Sequence, residues 1–139
     1  MTTTSADFWA DARVIHAYTR AQALVDGVLV DATDTARQAG YTVPVALTRG
    51  AWAAAVEWSR DDGLQDEAGR LWDVLWMGLH AAKRSGRGQN RVEYTVHVVP
   101  NDDDGASGYS RASVVTLALH IGPGDNAEPV MTIMLPNED

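Results

Sequence analysis

Residues 64–85, LQDEAGRLWDVLWMGLHAAKRS, decide the fold. Leu64, Ala68, Leu71, Leu75, Leu79 and Ala82 recur at steps of three and four, so a helix puts them on one face. Trp72 and Trp76, four residues apart, form a second apolar row beside the first. Asp66 and Glu67 in the first turn and Lys83 and Arg84 in the last turn suit the helix dipole. Asp66 and Arg70 are spaced to pair on the solvated side. So wide an apolar arc calls for two covers, a sheet under the leucine row and another helix over the tryptophan row.

The sheet follows directly. After the polar break SGRGQN at 85–90, the period changes from helical to two. Residues 91–99 alternate Val92, Tyr94, Val96 and Val98 against Glu93, Thr95 and His97. Residues 113–121 alternate Val115, Leu117, Leu119 and Ile121 against Val114, Thr116, Ala118 and His120, and residues 130–135 alternate again. Turn-rich segments separate the three, which predicts an antiparallel meander. Matching like faces pairs Val98 with Val115, Val92 with Ile121, and Ile121 with Met131. That register predicts a row of Glu93, His120 and Thr132 on the less apolar face.

Working back, Thr48 caps an expected helix through Arg60 whose Trp52–Val56 face would cover Trp72 and Trp76. Earlier elements are shorter. Thr19 and Gln22 have capping-box spacing for a helix closed by Gly27, and Asp31 or Thr33 can cap a second helix ended by Gly40. Residues 28–30 and 45–47 read as extended, and 14–18 as a short strand. Residues 7–12 fit a helical turn, and 1–5 are expected to fray. The expected fold is one α+β domain over residues 1–139. An antiparallel sheet of at least three strands packs against one long helix and a second, shorter one.

Composition excludes several classes. The 139 residues contain no cysteine, so disulfides, thiol nucleophiles and cysteine-ligated metals are out. No apolar run is long enough to span a membrane, and the N-terminus lacks a signal-peptide pattern, so a cytoplasmic location is expected. The net charge of -8 argues against direct nucleic-acid binding, which needs a basic footprint. From Arg87 onward eight Asp and Glu face three Lys and Arg, so this part carries -5 of that total. Such a field suits a basic protein partner.

Each candidate site also has a plainer role. His97, His120 and Glu93 share a sheet face and superficially resemble a two-histidine, one-carboxylate metal site. The two histidines fall on separate rungs, so a Glu93–His120 pair is expected, with no metal and no cofactor. The triplet Asp102, Asp103 and Asp104 lacks the alternating ligand spacing of a calcium loop and fits a solvated hairpin tip. Gly122–Asp125, GPGD, lacks the Lys-Ser/Thr of a phosphate loop and reads as a turn. No serine sits in an activated nucleophile setting. Arg20, Asp26, Asp31 and Arg49 fall at element ends, where a small cleft could form. Trp9, Trp52, Trp58 or Trp76, if exposed, would be a candidate binding anchor.

Three stretches, residues 18–31 (YTRAQALVDGVLVD), 66–75 (DEAGRLWDVL) and 122–139, with PVALTRGAW between them, resemble an uncharacterised bacterial domain family of unknown function often carried on plasmids and phages. The resemblance carries no catalytic chemistry. It implies an accessory protein of mobile elements, a context that includes inhibitors of host defence of the anti-CRISPR or antirestriction type. Three functions are therefore expected in turn. The first is a non-enzymatic protein-interaction module steered by Asp102, Asp103, Asp104, Asp125, Glu128, Glu138 and Asp139. The second is a small enzyme or ligand binder with a cleft near Arg20, Asp26, Asp31 and Arg49. The third is a self-associating structural protein.

Overall fold

The change of period after residue 85 marks where the architecture turns from helix to sheet. The computed structural model describes residues 18–59, 66–86, 88–100 and 113–138. Among these the order is α1 (Arg20–Asp26), β1 (Leu29–Asp31), α2 (Thr33–Ala39), β2 (Val45–Thr48), α3 (Arg49–Ala55), α4 (Glu67–Arg84), β3 (Arg91–Val98), β4 (Ser113–Pro123) and β5 (Pro129–Met134). The turn expected at 7–12 and, but for Tyr18, which is in no strand, the strand expected at 14–18 lie outside the described residues.

Local chemistry sets the boundaries. Thr19 and Gln22 form the capping box of α1, and Gly27 closes it in the left-handed region at φ 78°. Asp31 Oδ1 accepts from the Thr33 N–H at 3.1 Å and its hydroxyl at 2.6 Å, which turns the chain into α2. Thr48 Oγ1 accepts from Ala51 N–H at 3.1 Å to start α3. That helix ends at Ala55, sooner than expected. Asp66 caps α4 by accepting from Gly69 N–H at 2.6 Å.

The five strands run in the order β1-β2-β5-β4-β3. The expected meander is there, with β3, β4 and β5 antiparallel. The sheet is nevertheless mixed, because β2 inserts beside β5 in parallel and β1 pairs antiparallel to β2. The β4–β5 register has Ile121 opposite Met131 and His120 opposite Thr132, as expected. The β3–β4 register is displaced by two residues: Val98 faces Ser113, and Glu93 faces Ala118. Arg91, not Glu93, stands opposite His120. The face-matching rule cannot detect this slip, since a two-residue shift returns every side chain to its own face.

One face of the sheet carries Tyr94, Val96, Leu117, Leu119, Ile133 and Leu47, all buried beneath α4. From α4 come Leu71, Val74, Leu75 and Ala81, with Ala36, Ala39 and Tyr41 closing one side. Two expectations fail on this helix. Trp72 and Trp76 are exposed and not covered by α3, whose Ala51 and Ala55 are buried in the core instead. Arg70 is 5% exposed and does not pair with Asp66 on the surface. It lies one turn before Val74 on the buried arc. Its Nε donates to Val56 O at 2.9 Å and its Nη1 to Val99 O at 2.7 Å, while the guanidinium sits 5.2 Å from the centre of the Trp58 ring. Burial lowers the Arg70 pKa, and Glu67 opposes the shift.

Candidate interaction surface

Gly78 explains why α4 leaves its largest side chains outside. With no side chain there, the helix lies directly on Tyr41 and Tyr94, whose hydroxyls donate to Leu75 O at 2.7 Å and Val74 O at 2.9 Å. Those carbonyls keep their intrahelical partners and accept a second bond. The close seat turns Trp72, Trp76 and His80, at steps of four, onto the outward flank. The two indoles stack with centroids 5.9 Å apart and planes 14° apart. His80 meets Trp76 edge-on at 4.6 Å. Trp72 is 36% exposed, Trp76 42% and Met77 40%. On the other flank Met77, Ala81 and Arg84 line an open groove of about 510 Å³ against Val92, Tyr94 and Thr95 of β3. An apolar cleft of about 300 Å³ lies beyond the end of α4, between Ala82 and the Val92, Leu119, Ile121 and Met131 end of the sheet.

The acidic residues expected to steer a partner have internal work as well. Asp125 Oδ1 accepts from Arg20 N–H at 2.8 Å and Oδ2 from Ala21 N–H at 3.0 Å, so it holds the first turn of α1 against the β4–β5 turn. These two backbone donors keep its pKa below the ordinary carboxylate range. Glu128 accepts from Asn126 N–H at 2.9 Å within the same turn. Glu138 Oε2 accepts from the Thr48 hydroxyl at 2.6 Å and Leu135 N–H at 3.0 Å, tying the C-terminal end to the start of α3. Asp102, Asp103, Asp104 and Asp139 lie outside the described residues.

The structure brings Asp31 within electrostatic reach of Arg20, whereas Asp26 and Arg49 sit at other element ends. Arg20 is half-buried, donating from Nη1 to Thr132 Oγ1 and from Nη2 to Met131 O, both at 2.8 Å. Burial lowers its pKa, and Asp125, Asp31 and Glu128 oppose that shift. Asp26 accepts the Tyr18 hydroxyl at 2.5 Å, Asp31 starts α2, and Arg49 is exposed at the first turn of α3. Among the described residues no group of three or more His, Cys, Asp or Glu is placed to hold a metal ion. No helix among them is long and apolar enough to cross a membrane.

A family model described as a family of unknown function (DUF6573) matches residues 5–139. The chain belongs to this family. No curated protein and no solved structure matches the chain. The matched span covers both the helix and the whole sheet, and with them Trp72 and Trp76. The exposure of Trp72 had a signal in the sequence. It lies on the edge of the leucine stripe, while Gly78 and Ala81 mark the arc of closest approach.

Proposed function

We propose that this protein is a non-enzymatic interaction module that docks a basic protein partner on the outward flank of α4. The observation that carries this reading is the stacked, solvent-facing pair Trp72 and Trp76 on a chain of net charge -8. At 36% and 42% exposure, and taking ~250 Å² for a whole tryptophan side chain, the pair leaves roughly 200 Å² uncovered. At ~25 cal/mol per Å² its burial contributes about 5 kcal/mol before the costs of association, enough for an anchor but not for a whole interface. The ring faces attract arginine or lysine of a partner, and the acidic field speeds encounter. A partner whose surface is basic because it handles nucleic acid fits that charge, as for an inhibitor of a host defence enzyme.

The reading as a small-ligand protein with a cleft near Arg20 draws less support, since that guanidinium already holds Thr132 and Met131. The test is parallel affinity purification from host lysate with the native chain and a Trp72→Ala/Trp76→Ala variant, followed by binding measurements with the purified partner. One dominant basic partner is expected, held at least about tenfold more weakly by the variant and released by salt. Equal affinity of both proteins for that partner, or binding indifferent to salt, would overturn the reading.

A further inference from the structure

The sheet face opposite α4 carries a polar row set by the β3–β4 and β4–β5 registers. Arg91 stands opposite His120, and His120 opposite Thr132. Arg20 joins the row at Thr132 through its 2.8 Å hydrogen bond. Neighbouring strands are ~4.8 Å apart, so His120 lies one strand from Arg91 on one side and one strand from the Thr132–Arg20 pair on the other. Asn90, Arg91, His120 and Met134 line a hollow of about 310 Å³ at the Arg91 end of this row.

Among the described residues, the groups around the hollow are donors whose hydrogen-bonding capacity is only partly used. Among the described residues the Asn90 carboxamide and the His120 ring form no hydrogen bond. Arg91 Nη2 donates to Pro136 O at 2.7 Å, while Nη1 reaches only the Met134 sulfur at 3.5 Å, a weak acceptor. No carboxylate pairs with Arg91 among the described residues, although the chain has 19 Asp and Glu. Glu93, the acidic residue on the same face of β3, is two residues further along, opposite Ala118. The imidazole is also seated. It lies over Gly122, where an added Cβ would stand 2.9 Å from His120 Cε1 and 3.5 Å from Nδ1. Gly122 therefore clears the space that the ring fills.

We propose that this hollow binds a small oxyanion, a phosphate or carboxylate group of a small molecule. Arg91 supplies a charged planar fork, Asn90 an amide donor and His120 a ring N–H. A volume near 310 Å³ is at the small end of the range for small-molecule sites. Arg20 adds positive charge one strand beyond His120, tempered by Asp125, Asp31 and Glu128. The site is on the face away from Trp72 and Trp76 and does not depend on the docking reading.

The test is a nuclear magnetic resonance titration of the full chain with inorganic phosphate, glycerol 3-phosphate and acetate, using sodium chloride at matched ionic strength as control. Saturable shifts confined to Asn90, Arg91, His120 and Gly122 are expected with phosphate or acetate and absent with chloride. Preference for glycerol 3-phosphate or for acetate then identifies the source of the oxyanion. Arg91→Gln should weaken binding about tenfold or more. Because Arg91 also holds Pro136, Asn90→Ala and His120→Ala provide a second line: neither side chain has a hydrogen bond among the described residues, so each should weaken binding with little change in Tm. Gly122→Ala, which displaces the ring, should act like His120→Ala. Shifts that fail to saturate, that chloride reproduces, or that survive in Asn90→Ala and His120→Ala would overturn the proposal.

Discussion

Replacing Gly78 by alanine opposes two effects of known size. In an unencumbered helix interior the change stabilises by about 1 kcal/mol, because glycine loses the most backbone entropy. Here the new Cβ would stand 2.9 Å from Tyr41 Oη, 2.9 Å from Tyr94 Oη and 3.0 Å from Tyr94 Cζ. Neither ring can step aside cheaply, since Tyr41 is 4% and Tyr94 7% exposed and both hydroxyls are bound to helix carbonyls. Overpacking costs about 1–3 kcal/mol, and weakening two buried hydrogen bonds costs about 1 kcal/mol each. The net expectation for Gly78→Ala is destabilisation of ~2–4 kcal/mol, or a Tm lower by about 6–16 °C at this chain length. Urea denaturation followed by circular dichroism reads it as a lower midpoint at unchanged m. In a Tyr41→Phe/Tyr94→Phe background both oxygens are gone, and the alanine penalty should fall to ~1 kcal/mol or less, the residue being the contact with the ring carbon. Gly78→Ala as stable as the native chain, or a penalty that persists in the double-phenylalanine background, would refute the argument that α4 is seated on the two hydroxyls.

Other outcomes follow from the same packing. Arg70→Met should destabilise by about 2–4 kcal/mol in the same urea assay, because the Val56 and Val99 carbonyls lose their charged donor; a change under ~0.5 kcal/mol would mean the guanidinium contributes no net stability. Burial raises the Tyr41 and Tyr94 phenols above their ordinary value, so the stability they confer is whole below pH ~10 and declines as pH rises past it. Tyrosinate absorbance in the folded protein should therefore lag behind that of the urea-unfolded chain. Asp125 has the opposite sign. Its lowered pKa gives stability that is present above the ordinary carboxylate range and lost as pH falls through the lowered value, so Asp125→Asn should flatten the acid limb of the Tm profile.

The parts of this fold that could be read from the chain are those where one periodicity runs for many residues. The alternation of β3 to β5 and the leucine steps of α4 each repeat often enough to fix element type and buried face. The β2 stretch, VALT, is four residues long with its first three buried, so it has no alternation to show a face. Its place in parallel beside β5 arises from pairing across some eighty residues of chain, which no local pattern records. Register suffered for a related reason. Face matching fixes it only to the nearest two residues, and the difference put Arg91 where Glu93 was expected. The charge of Arg70 points to solvent, but its position, four before Val74, is on the buried arc. The size of the tryptophans favours burial, but Gly78 and Ala81 draw the helix close and leave bulk outside.

Short elements explain where most of the polar side chains went. Helices α1, α2 and α3 are seven residues each, too short to persist without tertiary support. Asp125 and Arg20 tether α1 to β5 and its turn, and Glu138 with Thr48 ties the start of α3 to the C-terminal end. Charges that look like docking groups in the sequence thus hold the N-terminal half onto the sheet, while still contributing to the field around the molecule. Groups without such an internal task are better candidates for recognition. On the helix side these are Trp72 and Trp76, stacked on each other with no covering element among the described residues. On the sheet side they are Asn90, His120 and the part of Arg91 that meets only a sulfur. The two sets differ in chemistry, one apolar and aromatic, the other a fork of donors. Separate variants in each set should therefore have separable effects, loss of a protein partner from one and loss of an anion from the other.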